Sequence, residues 1–301
     1  MRVTNNSATR NAITSIAAAR ERMDSAQVQL TSGRKFQSAS EDPASATGVM
    51  RNDAQLRAID QYQRNVGAAN QRVSLEEGVL DQLTTLLTRA REITISESTE
   101  TASPASRRAA GAEVNQLLAQ AVQLANTKAG DEYLFGGNTS TTTPFAVGTG
   151  TAAYTFTVAN PAPSGPRKVE IGAGTLVTAN HDGTQVFGTA GGGALKALQD
   201  LGAALQVGTA SAVSSLIPSF VSETANVQTL FGETGARAGQ LQITESNLTA
   251  LKNQLTLFNS DLQDVDMEAV ITELTGRQTA YQAAMAATAR MTTLSLADYL
   301  R

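Results

Sequence analysis

Residues 59–87 read IDQYQRNVGAANQRVSLEEGVLDQLTTLL. Ile59, Val66, Val73, Leu80 and Leu87 recur at every seventh position, and Leu56, Leu83 and Ala90 fill the alternate positions of the seam. A seven-residue apolar repeat makes a stripe too narrow for one helix to bury alone, so it calls for a partner helix. A second seam runs through Leu248, Leu251, Leu255, Phe258, Leu262, Val265 and Ala269 in steps of three and four. A third lies near the start, at Ala12, Ile16, Ala19, Met23, Ala26 and Leu30. These spacings predict a mainly α protein whose two ends are helical.

The boundaries follow from capping chemistry. A first helix is expected from about Ser7 to Ser32, stopped by Gly33. The polar stretch Gln37 to Glu41 reads as a linker. Asp42-Pro43 then opens a helix that runs to about Ser96, because Asp can accept from free N–H groups and Pro fits the first helical position. Such a helix spans roughly 80 Å at 1.5 Å per residue, which implies a rod. Ser103-Pro104 opens a third helix, carried by Val114, Leu117, Ala121 and Leu124, with Lys128 in its last turn and an end near Gly130.

The period then changes. Tyr154, Phe156 and Val158 alternate with threonines, and Val169 and Ile171 alternate with charges, which is strand spacing. Asp182-Gly183, between Leu176-Val177 and Val186-Phe187, reads as a hairpin turn. Residues 131–190 are therefore expected to form a β-rich insert. Helices resume at Ala194 to Gln206 and Ala210 to Phe231, with a break at Pro218. Gly232 to Gly239 reads as a punctuated stretch, and one last helix as running from Gln240 to about Asp298.

Composition narrows the function. Of 301 residues, 17% are charged and 4% aromatic, with no Trp. That mixture suits helices packed through small side chains better than an enzyme core. The net charge of -4 gives no reason to expect nucleic acid. No Cys is present, so disulfides and thiolate chemistry are excluded, and the single His excludes a multi-histidine metal site. The N-terminus lacks the apolar core of a secretory signal, so any export is expected to use another route. No segment approaches the ~18 apolar residues of a membrane span, and no membrane insertion is expected.

Motifs for chemistry are weak. Gly148, Gly150 and Ala153 fit G-x-G-x-x-A, but a strand follows where a nucleotide loop needs a helix. His181 lies in Asn-His-Asp-Gly, read as a solvated turn, since no nucleophile elbow accompanies it. Asp264 and Asp266, two apart on a helix, point to different faces and read as solvated. Glu41 and Asp42 are explained by helix-start electrostatics. Asn138-Thr139-Ser140 fits a glycosylation sequon of little weight. No nucleophile–base or metal constellation emerges, so neither an enzyme nor a cofactor is expected.

The seams divide in their expected partners. Ile59 to Leu87 and Leu241 to Val265 have intrachain partners of matching length. Ile59, Val66, Val73, Leu80, Leu87, Leu248, Leu255 and Leu262 are expected to form that core. Ala12 to Leu30 and Tyr281 to Leu300 have no third helix to cover them, and their open face is the candidate for self-assembly.

At this point a family likeness emerges. Arg2-Val3-Thr4-Asn5, then Leu30-Thr31-Ser32-Gly33-Arg34-Lys35, then Ser40-Glu41-Asp42-Pro43-Ala44, resembles the start of the bacterial flagellin family. Asp264 to Glu268, then Leu274, Gln278, Tyr281 and Leu294 to Leu300, resembles its C-terminal helix. Within the family, the opening Met1-Arg2-Val3-Thr4-Asn5, the run Tyr133 to Asn138 followed by Pro144-Phe145, and the ending Ser295 to Leu300 look like the hook–filament junction branch. The filament subunits are the alternative. An extracellular coiled-coil adhesin is more remote, because it needs a signal peptide or anchor.

The resemblance implies an elongated, rod-like helical bundle built from both chain ends, with a small outer β-domain. It implies a terminal coiled-coil segment, 1–42 with 266–301, forming an inner tube and disordered in the free monomer. A helical rod domain, 43–130 with 191–265, and an outer β-rich domain, 131–190, would complete the chain. Ile13, Ile16, Met23, Leu30, Tyr281, Met285, Met291, Leu294 and Leu300 would make the assembly interface. The implied partners are copies of the chain in a ring, an adjacent hook-associated junction protein, flagellin and a flagellar export chaperone. The implied location is the extracellular flagellum, reached by type III export.

Overall fold

The computed structural model describes residues 2–148, 155–159 and 162–299, and the side chains of these except at 2–9, 139 and 291–299. Helix α1 is Arg2–Ser32, α2 is Pro43–Glu97 and α3 is Pro104–Ala125. The strands are β1 Lys128–Ala129, β2 Glu132–Tyr133, β3 Phe145–Val147, β4 Phe156–Val158, β5 Lys168–Gly172 and β6 Thr175–Thr178. Helices α4 Gly183–Val186, α5 Ala194–Val207, α6 Ala210–Ser214, α7 Ile217–Gln263 and α8 Met267–Tyr299 follow. Contacts divide the chain into two compact units, Met1–Ala58 with Leu251–Arg301, and Ile59–Ala250.

The unit that holds both chain ends is helical. α1 packs along α8, and Ala26 is fully buried. A small side chain there lets helices approach closely. Gly33 ends α1 with φ of 69°, a conformation that a Cβ disfavours. Asp42 caps α2 as its type requires, accepting from Ser45 N–H at 3.1 Å. The Ser45 side chain and its backbone N–H together hold the Asp42 carboxyl below the ordinary value. Phe36, Ala46 and Val49 bury together, with Leu262 against them.

In the other unit, Leu80, Leu83 and Leu87 of α2 join Val114 and Leu118 of α3, Leu195, Leu198 and Leu201 of α5, and Phe220 and Val227 of α7 in one core. The strands pair as antiparallel two-stranded sheets, β1 with β2, β3 with β4 and β5 with β6. Phe187 meets Phe135 edge-on at 5.1 Å and Phe145 at 5.8 Å, so these rings tie the insert to the helical core.

Several local expectations change. α3 stops at Ala125, not near Gly130. Asn126 turns the chain instead: its amide donates to Phe145 O at 2.6 Å and accepts from Phe145 N–H at 3.1 Å. Lys128 thus belongs to β1. Asp182-Gly183 is not a hairpin turn. Asp182 caps α4 in a capping box with Gln185, and the hairpin turns earlier, between β5 and β6, where Gly174 has φ of 68°. Gly232 to Gly239 lies inside α7, because Val227, Leu230, Thr234 and Leu241 bury at helical spacing and outweigh three glycines. The last helical region is broken at residues 264–266. Gly150 and Ala153 of the weak glycine motif, and Tyr154, lie outside the described residues.

Candidate assembly surface

The break between α7 and α8 is built by the loop that follows α1. Lys35 N–H donates to Gln263 O at 2.7 Å, and Val265 N–H donates to Gly33 O at 3.0 Å. The two bonds form an antiparallel bridge between Arg34 and Asp264. The Lys35 ammonium donates to Asp261 O at 2.6 Å, satisfying a carbonyl of the last turn of α7. Asp266 then restarts the helix, accepting from Glu268 N–H at 3.0 Å and Ala269 N–H at 3.2 Å. The two aspartates therefore bracket a helix break, and Asp266 is a cap where a solvated helix face was expected. One bond further along ties the pair, from Arg277 to Arg22 O at 2.6 Å.

This clasp presents a two-helix pair. On it, Ile13 is 59% exposed and Met285 49%. Ile16, Met23, Leu30 and Tyr281 are half-buried. The side chains of Met291 and Leu294, and all of Leu300, lie outside the described residues. The expected core positions divide between the units. Ile59, Val66, Val73, Leu80, Leu87 and Leu248 are buried in one, and Leu255 is buried and Leu262 half-buried in the other.

The seam on α7 contains more than a closed core. Leu241, Leu248 and Leu255 are buried, but Leu251 and Phe258 stay 47% and 49% exposed. Ile243 and Leu257 are 64% and 66% exposed. Within the terminal unit, Leu255 is thus covered while Leu251, Leu257 and Phe258 are not. Reading the seam as one stripe misses Ile243 and Leu257, which lie off its three-and-four spacing. Uncovered large apolar side chains on helices are what an interaction surface presents. Among the described residues no group of three or more His, Asp or Glu side chains is placed to hold a metal ion.

His181 is placed otherwise than expected. It is 2% exposed, not solvated, and its ring lies between Glu76 and Glu233. The turn that carries it is buried because Asn180 donates to Leu134 O at 2.7 Å and Gly183 N–H to Phe135 O at 3.1 Å.

Comparison with known proteins bears on both ends. The pattern of the bacterial flagellin N-terminal helical region matches residues 3–140, and that of the bacterial flagellin C-terminal helical region matches residues 220–300. Flagellar hook-associated protein 3 of Escherichia coli K12 is 29% identical over 293 residues, which cover 89% of this chain and 90% of that protein. A putative flagellar hook-associated protein from Vibrio parahaemolyticus has a similar fold, with a TM-score of 0.65 and 20% identity over 74% of this chain and all of that one. Flagellar hook associated protein-3 from Legionella pneumophila matches with a TM-score of 0.62 and 17% identity, over 71% of this chain and 98% of that one.

Proposed function

The chain belongs to the bacterial flagellin family, and on that premise we propose that it is a structural subunit that joins the flagellar hook to the filament. The observation that carries this reading is the match to a hook-associated protein 3 that covers 89% of this chain and 90% of that protein. The work of such a subunit is assembly outside the cell with other flagellar proteins.

The finer reading assigns 1–42 with 266–301 to an inner terminal segment, 43–130 with 191–265 to a load-bearing helical domain, and 131–190 to an outer domain. Ile13, Ile16, Met23, Leu30, Tyr281, Met285, Met291, Leu294 and Leu300 pack against neighbouring copies in a ring. What supports this is the exposure of Ile13 and Met285 on a pair of helices. Burying a large apolar side chain contributes about 1.5–3 kcal/mol, so several per subunit offset the ordering of the ends. The ring sits between a second hook-associated junction protein and flagellin, and the chain is exported with a chaperone and without a cleaved signal.

Deletion of the gene tests the reading. Cells should make hooks but release flagellin into the medium. Normal filaments on the deletion strain would overturn it. Purified chain that seeds long filaments by itself would make it a filament subunit instead.

A further inference from the structure

The buried His181 has a partner problem that points to a switch. His181 N–H donates to Glu76 Oε1 at 2.9 Å, and the ring Nδ1 lies 2.8 Å from the same oxygen. That oxygen is an acceptor, so Nδ1 carries a proton. The other nitrogen, Nε2, has two suitors. It lies 2.9 Å from Glu233 Oε2 and 2.8 Å from Arg237 Nη2, and the same guanidinium reaches along the ring, with Nη1 3.3 Å from Nδ1. A ring nitrogen has one in-plane bonding direction. Nε2 donates to the carboxylate when protonated and accepts from the guanidinium when bare, and cannot do both at full strength.

Among the described residues, Glu76, Glu233 and Arg237 are the charged groups bonded to the ring. Glu76 comes from α2 and is fully buried; among the described residues its Oε2 has no hydrogen-bond partner, and its Oε1 bonds the backbone and ring of residue 181. Glu233 and Arg237 come from α7, one turn apart, with Arg237 Nη2 3.5 Å from Glu233 Oε2. Asp182, next in the loop, turns its carboxylate away to Thr184, Gln185 and Gly165.

We propose that His181 is a proton-switched latch of the loop that joins β6 to α4, one that exchanges Glu233 for Arg237 as its partner on α7. With the imidazolium, the ring bridges Glu76 and Glu233, and the loop is held to both α2 and α7. With the neutral ring, Nδ1–H stays on Glu76, Nε2 accepts from Arg237, and Glu233 is released to solvent, where half its side chain already lies. The loop keeps its hold on α2 in both states, so only the α7 contact switches.

The direction follows from the surroundings. Burial works to lower the His181 pKa, but the bonds to Glu76 and Glu233 and the Glu76 charge outweigh it and raise the pKa above the ordinary value of 6.5, against Arg237. A raised folded pKa means the bridge to Glu233 is fully formed below the unfolded value and gives way to the Arg237 contact as pH rises through the folded one.

The chain has one His, so nitrogen-15 long-range correlation spectra of the full-length protein report this ring alone. Across pH 5 to 9 the ring should titrate above 6.5, and its neutral form should be the Nδ1–H tautomer. Glu233→Gln, on a half-exposed side chain, should fold normally and shift that titration down by about one unit. The Tm gap between wild type and this variant should be present at low pH and close above the titration. A ring that titrates at or below 6.5, a neutral Nε2–H tautomer, or a Tm gap that stays constant with pH would each overturn the latch.

Discussion

Arg107 donates through Nη1 to the carbonyl of Gly208 at 2.6 Å, across 101 positions of chain. The same guanidinium donates to Glu97 O at 3.1 Å and Thr99 O at 2.7 Å. It is 5% exposed. One buried cation therefore terminates α2 and α5 together, satisfying carbonyls that helix ends leave free and opposing both helix dipoles.

Arg107→Ala should lower unfolding free energy by about 1–3 kcal/mol, because the buried Glu97 carbonyl and two part-buried ones lose a charged donor. Arg107→Lys should recover only part, since an ammonium lacks the planar fork. Urea denaturation followed by circular dichroism measures both. A Lys variant as stable as wild type would show that the fork geometry is immaterial.

Leu80 and Leu257 should separate folding from assembly. Leu80 is fully buried, so Leu80→Ala should cost about 2–5 kcal/mol. Leu257 is 66% exposed, so Leu257→Ser should change monomer stability by no more than about 0.5 kcal/mol. The same variant should fail to restore motility to a deletion strain. Full motility would remove Leu257 from the assembly surface.

Gly33 should resist replacement for backbone reasons alone. Nothing lies within 4 Å of a Cβ built there, but its φ is 69°. Gly33→Ala should cost about 1–2 kcal/mol and Gly33→Asn less. Thermal unfolding of the two variants against wild type measures the order. Equal stabilities would mean that the clasp re-forms without the left-handed residue.

Glu132 makes an acid-dependent contribution. Its carboxyl is held below the ordinary 4.5 by the hydrogen bond from Arg167, at 2.6 Å, aided by Arg72 and opposed by burial. A depressed pKa contributes stability above the unfolded value and loses it as pH falls through the folded one. The Tm difference between wild type and Glu132→Gln should thus be present at pH 6 and shrink steadily toward pH 3. A difference that grows on acidification would contradict the sign.

The terminal pair should be the first part of the free chain to open. It is two helices with Ile13 and Met285 uncovered, and such a pair is marginal without further partners. Backbone amides of residues 10–30 and 270–290 should exchange quickly in the monomer and slowly once assembled. Protection in the monomer equal to that around Leu80 would show that the ends fold without neighbours.

How much of this was legible varies by the range of the interaction. Asp42-Pro43 and Ser103-Pro104 announce helix starts because a cap and its N–H groups lie within three residues. The repeat from Ile59 to Leu87 announces a helix needing a partner because period is a local property of the chain. The family ends are legible for the same reason, as short fixed runs. The break at Asp264 to Asp266 has no such local mark, since the bonds that make it come from Gly33 and Lys35.

The sequence by itself therefore determined the mainly helical class, the helix starts at Pro43 and Pro104, and the family. Tertiary structure decided which apolar residues of α7 are covered, that His181 is buried between Glu76 and Glu233, and that Arg107 closes two helices at once. Those groups lie 52 to 105 positions apart. Their charge and burial depend on which distant side chains the packing brings within 3 Å. No periodicity or local motif carries that information, because the chain between them is free to choose the partner until the core closes.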